Sequence, residues 1–267
     1  MSRRDAYPPG VPCFVDTLTT DLVRAQRFYS GVFGWDFVGM RSIPDEQPGA
    51  YYVARIDGAD VAGLGIPVDA GAPTQTWNTY VAVTSADETA EAAREAGGSV
   101  IIAPVDAAPA GRMGVLGDPS GAAFCIWEPA ERLGAARVNE PSAWAMSALS
   151  TDDPEAAAEF YGRLFGWRSE AFGPEGSGMW LCRLPGFVGG EPEQPVPRDV
   201  VAAIMAGEAP ARWNVDFWID EADRAAAAAA DLGGSVLGAP FEDSGFRRAV
   251  LADPDGAPFT VSQKLST

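Results

Sequence analysis

The stretch Phe28-Tyr29-Ser30-Gly31-Val32-Phe33-Gly34-Trp35 occurs again as Phe160-Tyr161-Gly162-Arg163-Leu164-Phe165-Gly166-Trp167. Each copy follows an acidic, threonine-bearing start, Thr19-Thr20-Asp21 or Thr151-Asp152-Asp153. In the first copy Leu22, Ala25, Phe28, Tyr29, Val32 and Phe33 recur at three- and four-residue steps, which predicts one apolar helix face, and Gly34 stands where a helix exits through a left-handed residue. Working outward, Trp77-Asn78 pairs with Trp213-Asn214, and Ala96-Gly97-Gly98-Ser99-Val100 with Leu232-Gly233-Gly234-Ser235-Val236. Asp118-Pro119-Ser120-Gly121-Ala122 likewise pairs with Asp253-Pro254-Asp255-Gly256-Ala257. The landmarks keep their order, and a period this long marks duplicated domains rather than a solenoid of short units.

A chain of 267 residues divided in this way gives each half enough length for its own core. Pro129, Gly134 and Pro141 mark the connection, so the expected domains are 8–130 and 143–267, joined by a linker over 131–142. The 19 basic and 37 acidic residues give a net charge of −18, a mean field that repels nucleic-acid backbones and anionic membranes, so neither is expected as a partner. No apolar run is long enough to span a bilayer, and Met1 to Gly10 lack the apolar centre of a signal peptide, so the expected location is the cytoplasm. Cys13, Cys125 and Cys182 have neither the number nor the spacing of a disulfide framework or a zinc site. The chain has no histidine, which removes the commonest imidazole ligand and the usual general base at neutral pH.

Taken in order, residues 13–18 read as a strand before the first helix. Asp36-Phe37-Val38, a loop carrying Pro44 and Pro48, Tyr51 to Ile56, an Asp57-Gly58 turn and Val61 to Ile66 follow. Trp77 to Val83 restarts the pattern, with Ser85 and Glu88 as a capping box and Gly97-Gly98 closing the helix. Each half therefore holds two βαβββ modules, an α+β class. The stretch Pro185 to Pro210 is longer than its counterpart before Trp77 and reads as a lid or spacer loop.

Thr-Asp followed by Ala-x-x-Phe-Tyr and Phe-Gly-Trp, the mid-domain Trp-Asn strand and the Asp-Pro-x-Gly turn together resemble the vicinal oxygen chelate superfamily. That superfamily includes glyoxalase I, extradiol dioxygenases and bleomycin-resistance proteins, and the likeness extends to its two-domain glyoxalase-like or hydroxylase-like members. The resemblance implies two tandem domains, each a pair of βαβββ modules curled into a cupped mixed sheet with helices outside and a ligand cavity inside. It also implies metal ligands projecting into the cup from particular strands. Matched by motif, those positions are Phe14, Asn78 and Cys125 in the first domain and Met146, Asn214 and Thr260 in the second. The strand Val61 to Ile66 offers neither imidazole nor carboxylate. Such residues hold a divalent first-row metal weakly, so no metal or other cofactor is expected.

Strand alternation sends every second neighbour of those positions to the same side. The first cup then receives Phe14, Asp16, Asn78, Tyr80, Cys125 and Trp127; the second receives Met146, Asn214, Asp216, Trp218, Thr260 and Ser262. Aromatic side chains with a few oriented polar groups suit a flat, partly apolar ligand, the competing reading being that these rings meet and fill the cup. Asp16 and Asp216 are the candidate acid–base groups, because a carboxylate in an apolar cup titrates high. Arg112 and Arg247 hold either a ligand carboxylate or the local backbone, and Trp77 and Trp213 read as rim or interdomain packing. Three functions follow as alternatives: a metal-free binder of an aromatic natural product or metabolite, a cofactor-independent enzyme or auxiliary hydroxylase-like protein of secondary metabolism, and a scaffold with filled cups. The chain is expected to work as a monomer or homodimer on a small molecule.

Overall fold

The repeated stretches form α1 (Leu22–Phe33) and α3 (Pro154–Phe165) in a computed structural model that describes residues 4–39, 49–68, 75–174, 176–189 and 197–265. Both helices start as the sequence dictates: Asp21 Oδ1 accepts from Arg24 N at 2.9 Å and Asp153 Oδ1 from Ala156 N at 3.0 Å, satisfying amides with no partner inside the helix. Both end at a left-handed glycine, Gly34 at φ 73° and Gly166 at φ 74°.

The first domain runs β1 (Pro12–Leu18), α1, β2 (Asp36–Gly39), β3 (Tyr51–Ile56), β4 (Ala59–Gly65), β5 (Trp77–Ala82), α2 (Ala86–Glu95), β6 (Ser99–Ala107), β7 (Gly111–Gly117) and β8 (Ala123–Pro129). The second repeats it as β9 (Trp144–Thr151), α3, β10 (Arg168–Phe172), β11 (Met179–Arg183), β12 (Val200–Ala206), β13 (Arg212–Trp218), α4 (Ala222–Asp231), β14 (Ser235–Asp243), β15 (Phe246–Ala252) and β16 (Pro258–Lys264). Each set forms one eight-stranded mixed sheet, ordered β2-β3-β4-β1-β5-β8-β7-β6 and β10-β11-β12-β9-β13-β16-β15-β14. The two modules of a sheet join edge to edge through antiparallel pairs, β1 with β5 and β9 with β13. This is the expected pair of tandem α+β domains built from βαβββ modules.

One expectation fails. Val200-Val201-Ala202-Ala203-Ile204, placed in a lid or spacer loop, is β12, hydrogen-bonded between β11 and β9. All five side chains are buried, so this continuous apolar run is a two-faced interior strand that the surrounding glycines and prolines concealed. Residues 190–196 of that region and the loop expected around Pro44 and Pro48 lie outside the described residues.

The landmarks of the repeat turn out to be contacts between the halves. Tyr29 Oη donates to Asp253 Oδ2 at 2.8 Å, and Tyr161 Oη donates to Asp118 Oδ2 at 3.0 Å. A Cβ on Gly234 would lie 2.5 Å from Phe28 Cε2, and one on Gly98 would lie 2.9 Å from Phe160 Cε2, so the second glycine of each Gly-Gly pair seats the other half's phenylalanine. Trp35 Nε1 donates to Ser142 O ahead of β9, and Trp167 Nε1 donates to Gly10 O ahead of β1. The two cores are correspondingly crossed. One combines Val15, Phe28, Tyr29 and Trp77 with Phe217, Ala225 and Phe259; the other combines Val81, Phe124 and Ile126 with Phe160, Tyr161 and Trp213. Trp77 and Trp213 are thus interdomain packing, as one of their two readings held. Asp118 and Asp253 also close their own turns, Oδ1 of each accepting from two amides.

Candidate functional site

With the helix-facing side chains of each sheet committed to the crossed cores, the opposite side chains face the cups. In the first cup the expected residues do converge. Asp16 on β1 is 3% exposed; its Oδ1 accepts from Asn78 Nδ2 at 2.9 Å, and its Oδ2 accepts from Tyr80 Oη at 2.8 Å and from Tyr51 Oη at 2.9 Å. Burial raises the Asp16 carboxyl above the usual carboxylate range, although bonds from Asn78, Tyr80 and Tyr51 favour the charged form. The same burial, together with the Asp16 charge, pushes the Tyr51, Tyr80 and Cys125 protons well up, so these groups stay protonated, and Asp16 is the common acceptor of the two tyrosines. Phe14 meets Tyr80 edge-on at 6.1 Å between ring centres, and Tyr80 meets Trp127 at 6.4 Å.

Tyr51, which the sequence places on a strand but not among the cup residues, reaches Asp16 because β4 carries no side chains beneath its ring. A Cβ on Gly63 would lie 1.9 Å from Tyr51 Oη, and one on Gly65 would lie 2.7 Å from Tyr51 Cδ2. Trp127 lies over Gly111 in the same way, its Cζ2 2.8 Å from where a Cβ would be. Glycines two apart within a strand are a signal of such close approach, and this pair was legible as one.

Strand register gives the second cup position by position. Phe14, Asp16, Asn78, Tyr80 and Cys125 correspond to Met146, Ala148, Asn214, Asp216 and Thr260. Met113, facing Trp127, corresponds to Arg248, facing Ser262, and Tyr51 to Met179. The carboxylate has moved from the first strand of the domain to the middle one. Asp216 accepts from Ser262 Oγ, which lies 2.9 Å from Oδ1 and 2.8 Å from Oδ2, and Arg248 Nη1 stands 3.9 Å from Oδ2. Burial pushes the Asp216 carboxyl up to about 6, with Arg248 and Ser262 pulling the other way. Asn214 turns its amide to the Ala148 and Arg212 carbonyls, both at 3.4 Å, away from any carboxylate. Met146, Trp218 and Thr260 are half-buried. Arg248 is the residue that sequence reading missed, although its alternation with Phe246 and Val250 on β15 marked it as facing the cup.

Arg112 and Arg247 lie outside both cups. Arg112 binds Asp87 and Asp106, and Arg247 binds Asp223, so each guanidinium joins its strand to an acidic residue in the first turn of α2 or α4. All three cysteines are buried free thiols. Among the described residues no three of His, Cys, Asp and Glu are grouped as a metal would need, and no helix is long and apolar enough to cross a membrane.

Two tandem domains, each a pair of βαβββ modules with its own cup, define a glyoxalase-fold protein. Residues 15–126 match the family described as the glyoxalase/bleomycin resistance protein/dioxygenase superfamily, and residues 146–262 match the glyoxalase-like domain. Over nearly its whole length the chain is similar to CFP32 of Mycobacterium tuberculosis, which carries the name of a glyoxylase: 35% identity covering 98% of this chain and 97% of that one. It is also similar to the anthracycline biosynthesis protein DnrV of Streptomyces peucetius, at 31% identity covering 96% and 94%. The chain belongs to the glyoxalase/bleomycin resistance/dioxygenase superfamily. Among solved structures its fold is shared by the Mn(II)-bound glyoxalase of Novosphingobium aromaticivorans, with a TM-score of 0.64 at 18% identity covering 100% of this chain and 84% of that one. The 2,3-dioxygenase LapB of Pseudomonas sp. KL28 shares it as well, with a TM-score of 0.64 at 12% identity covering 97% and 94%.

Proposed function

We propose that this protein binds a flat, partly apolar small molecule, an aromatic natural product or metabolite, within a cup of its sheets and without a metal ion. The observation that carries the reading is the chemistry of the cup positions. Where the resemblance implies metal ligands, the chain presents Phe14, Asn78 and Cys125, or Met146, Asn214 and Thr260. In the first cup Asp16 has its oxygens occupied by Asn78, Tyr51 and Tyr80, which leaves, among the described residues, no donor set that fits a divalent first-row metal. Aromatic and thioether side chains around a few polar groups instead suit stacking and shape recognition. The relation to a protein named for anthracycline biosynthesis points to the same ligand class.

A second reading is favoured by the placing of Asp216 beside Ser262 and Arg248 on the cup face, where burial pushes its carboxyl up to about 6, a range suited to accepting and returning a proton. In that reading the protein is a cofactor-independent enzyme or auxiliary protein of secondary metabolism, with Asp216 as its base. Asp16 in the first cup, held by three donors, serves less readily. Native mass spectrometry with elemental analysis of the purified protein tests the first reading. A stoichiometric transition metal sinks it, and a metal-free protein carrying or capturing an aromatic molecule supports it. Asp216→Asn then separates the two: turnover lost with binding retained supports catalysis.

A further inference from the structure

The two cups share a frame but differ in how completely their polar groups are spent. The arginines Arg24, Arg55, Arg112, Arg132, Arg137, Arg183 and Arg247 each donate a hydrogen bond to a carboxylate. Arg248, inside the second cup, makes none among the described residues. Its Nε is shut off from solvent without an acceptor, and the nearest carboxylate oxygens, of Asp216 and Asp243, both stand at 3.9 Å. The guanidinium rests over the Phe246 ring, 4.9 Å from its centre. A planar five-donor group left this way on the cup face of the sheet is a recognition element for an oxyanion.

The corresponding place in the first cup is Met113 beside Trp127, an apolar pair, so the arginine and its neighbour Ser262 distinguish the second cup from its twin. The rest of the second cup changes in the same direction. Tyr51, which covers the first cup's floor, is replaced by Met179, and Gly65 by Met205, which is 40% exposed. With Met146, these give a flexible, polarizable, solvent-reachable wall able to shape itself around a ring system.

Resting on the binding reading above, we infer that the second cup takes the ligand and that Arg248 is its anion-binding side chain. The ligand class is accordingly a flat aromatic molecule bearing an ionised oxygen, a carboxylate or an acidic phenol. The ring lies against Met146, Met179 and Trp218 while the oxyanion takes the unused donors of Arg248.

The test uses anthraquinone-2-carboxylate and its neutral carboxamide as probes, titrated calorimetrically near neutral pH. Wild-type protein is expected to bind the carboxylate about tenfold or more tightly than the carboxamide, a difference in the range of one charge-assisted contact. R248M, which installs the side chain found at the twin position, should remove that preference by weakening the carboxylate alone. R247M, one residue away and pointing outside the cup, should change neither affinity. R248Q repeats the measurement if R248M does not fold. Preference that survives in R248M and R248Q, or wild-type protein that binds both probes equally, overturns the assignment of Arg248 while leaving the binding reading intact. Wild-type protein that binds neither probe overturns both.

Discussion

Asp216→Asn is expected to abolish the pH dependence of stability that this carboxyl imposes. Its folded value of about 6 lies above the ordinary 3.8, so the folded state prefers the protonated form. Ionised, the group costs the folded state about 3 kcal/mol relative to the unfolded chain. The stability contributed by protonation is fully present below the unfolded value and is lost as pH rises through the folded one. Between roughly pH 7.5 and roughly pH 5.0 the wild type should therefore gain about 1.4 kcal/mol relative to D216N, whose amide does not titrate. Urea denaturation of both proteins at several pH values measures this, and the difference between them cancels carboxyls common to both. A difference that stays flat with pH would mean that Asp216 is solvated rather than desolvated. A wild type that loses stability to D216N on acidification would mean that Arg248 holds the carboxylate as a stabilising ion pair, and the account of an unspent guanidinium would fall with it.

Tyr29→Phe leaves Asp253 Oδ2 without its donor and should destabilise the chain by about 1.5–3 kcal/mol, with a D253N double-mutant cycle showing strong coupling although 224 residues separate the pair. Gly63→Ala forces Tyr51 off the first-cup floor and should cost about 1–3 kcal/mol in chemical denaturation; adding Tyr51→Ala should return part of that loss, and no recovery would show that the clash is not with the ring. Elemental analysis of protein purified without chelator should find no stoichiometric manganese, iron or zinc.

The Phe-Tyr helix, its Asp cap, its exit glycine and the inward parity of the cup strands were legible because each rests on local periodicity or on one residue's conformational preference. Strand β12 was not, since a run apolar on both faces among glycines and prolines carries no alternation. The pairings Tyr29–Asp253 and Tyr161–Asp118 were beyond sequence reading for a different reason. Every landmark was visible, but nothing local says that the partner of a tyrosine in one repeat is the turn of the other. Tyr51 and Arg248 stand at none of the positions where the superfamily resemblance implies metal ligands, and strand alternation alone does not single them out as functional.

The crossing explains which residues the duplication kept and which it let diverge. Phe28 and Phe160, Tyr29 and Tyr161, Gly98 and Gly234, and Asp118 and Asp253 each need their partner in the opposite half, so a change in one repeat leaves a buried group unpaired or a seat unfilled in the other. The cup faces carry no such mutual constraint. Asp16 is spent on groups of its own sheet, and the Asp216 side chain meets Ser262 and Arg248 of its own. One cup can therefore close around Tyr51 and Trp127 while the other carries Asp216 and Arg248, without disturbing the cores behind them. The reciprocal helices hold the frame constant, and that constancy is what leaves each cup free to diverge from the other.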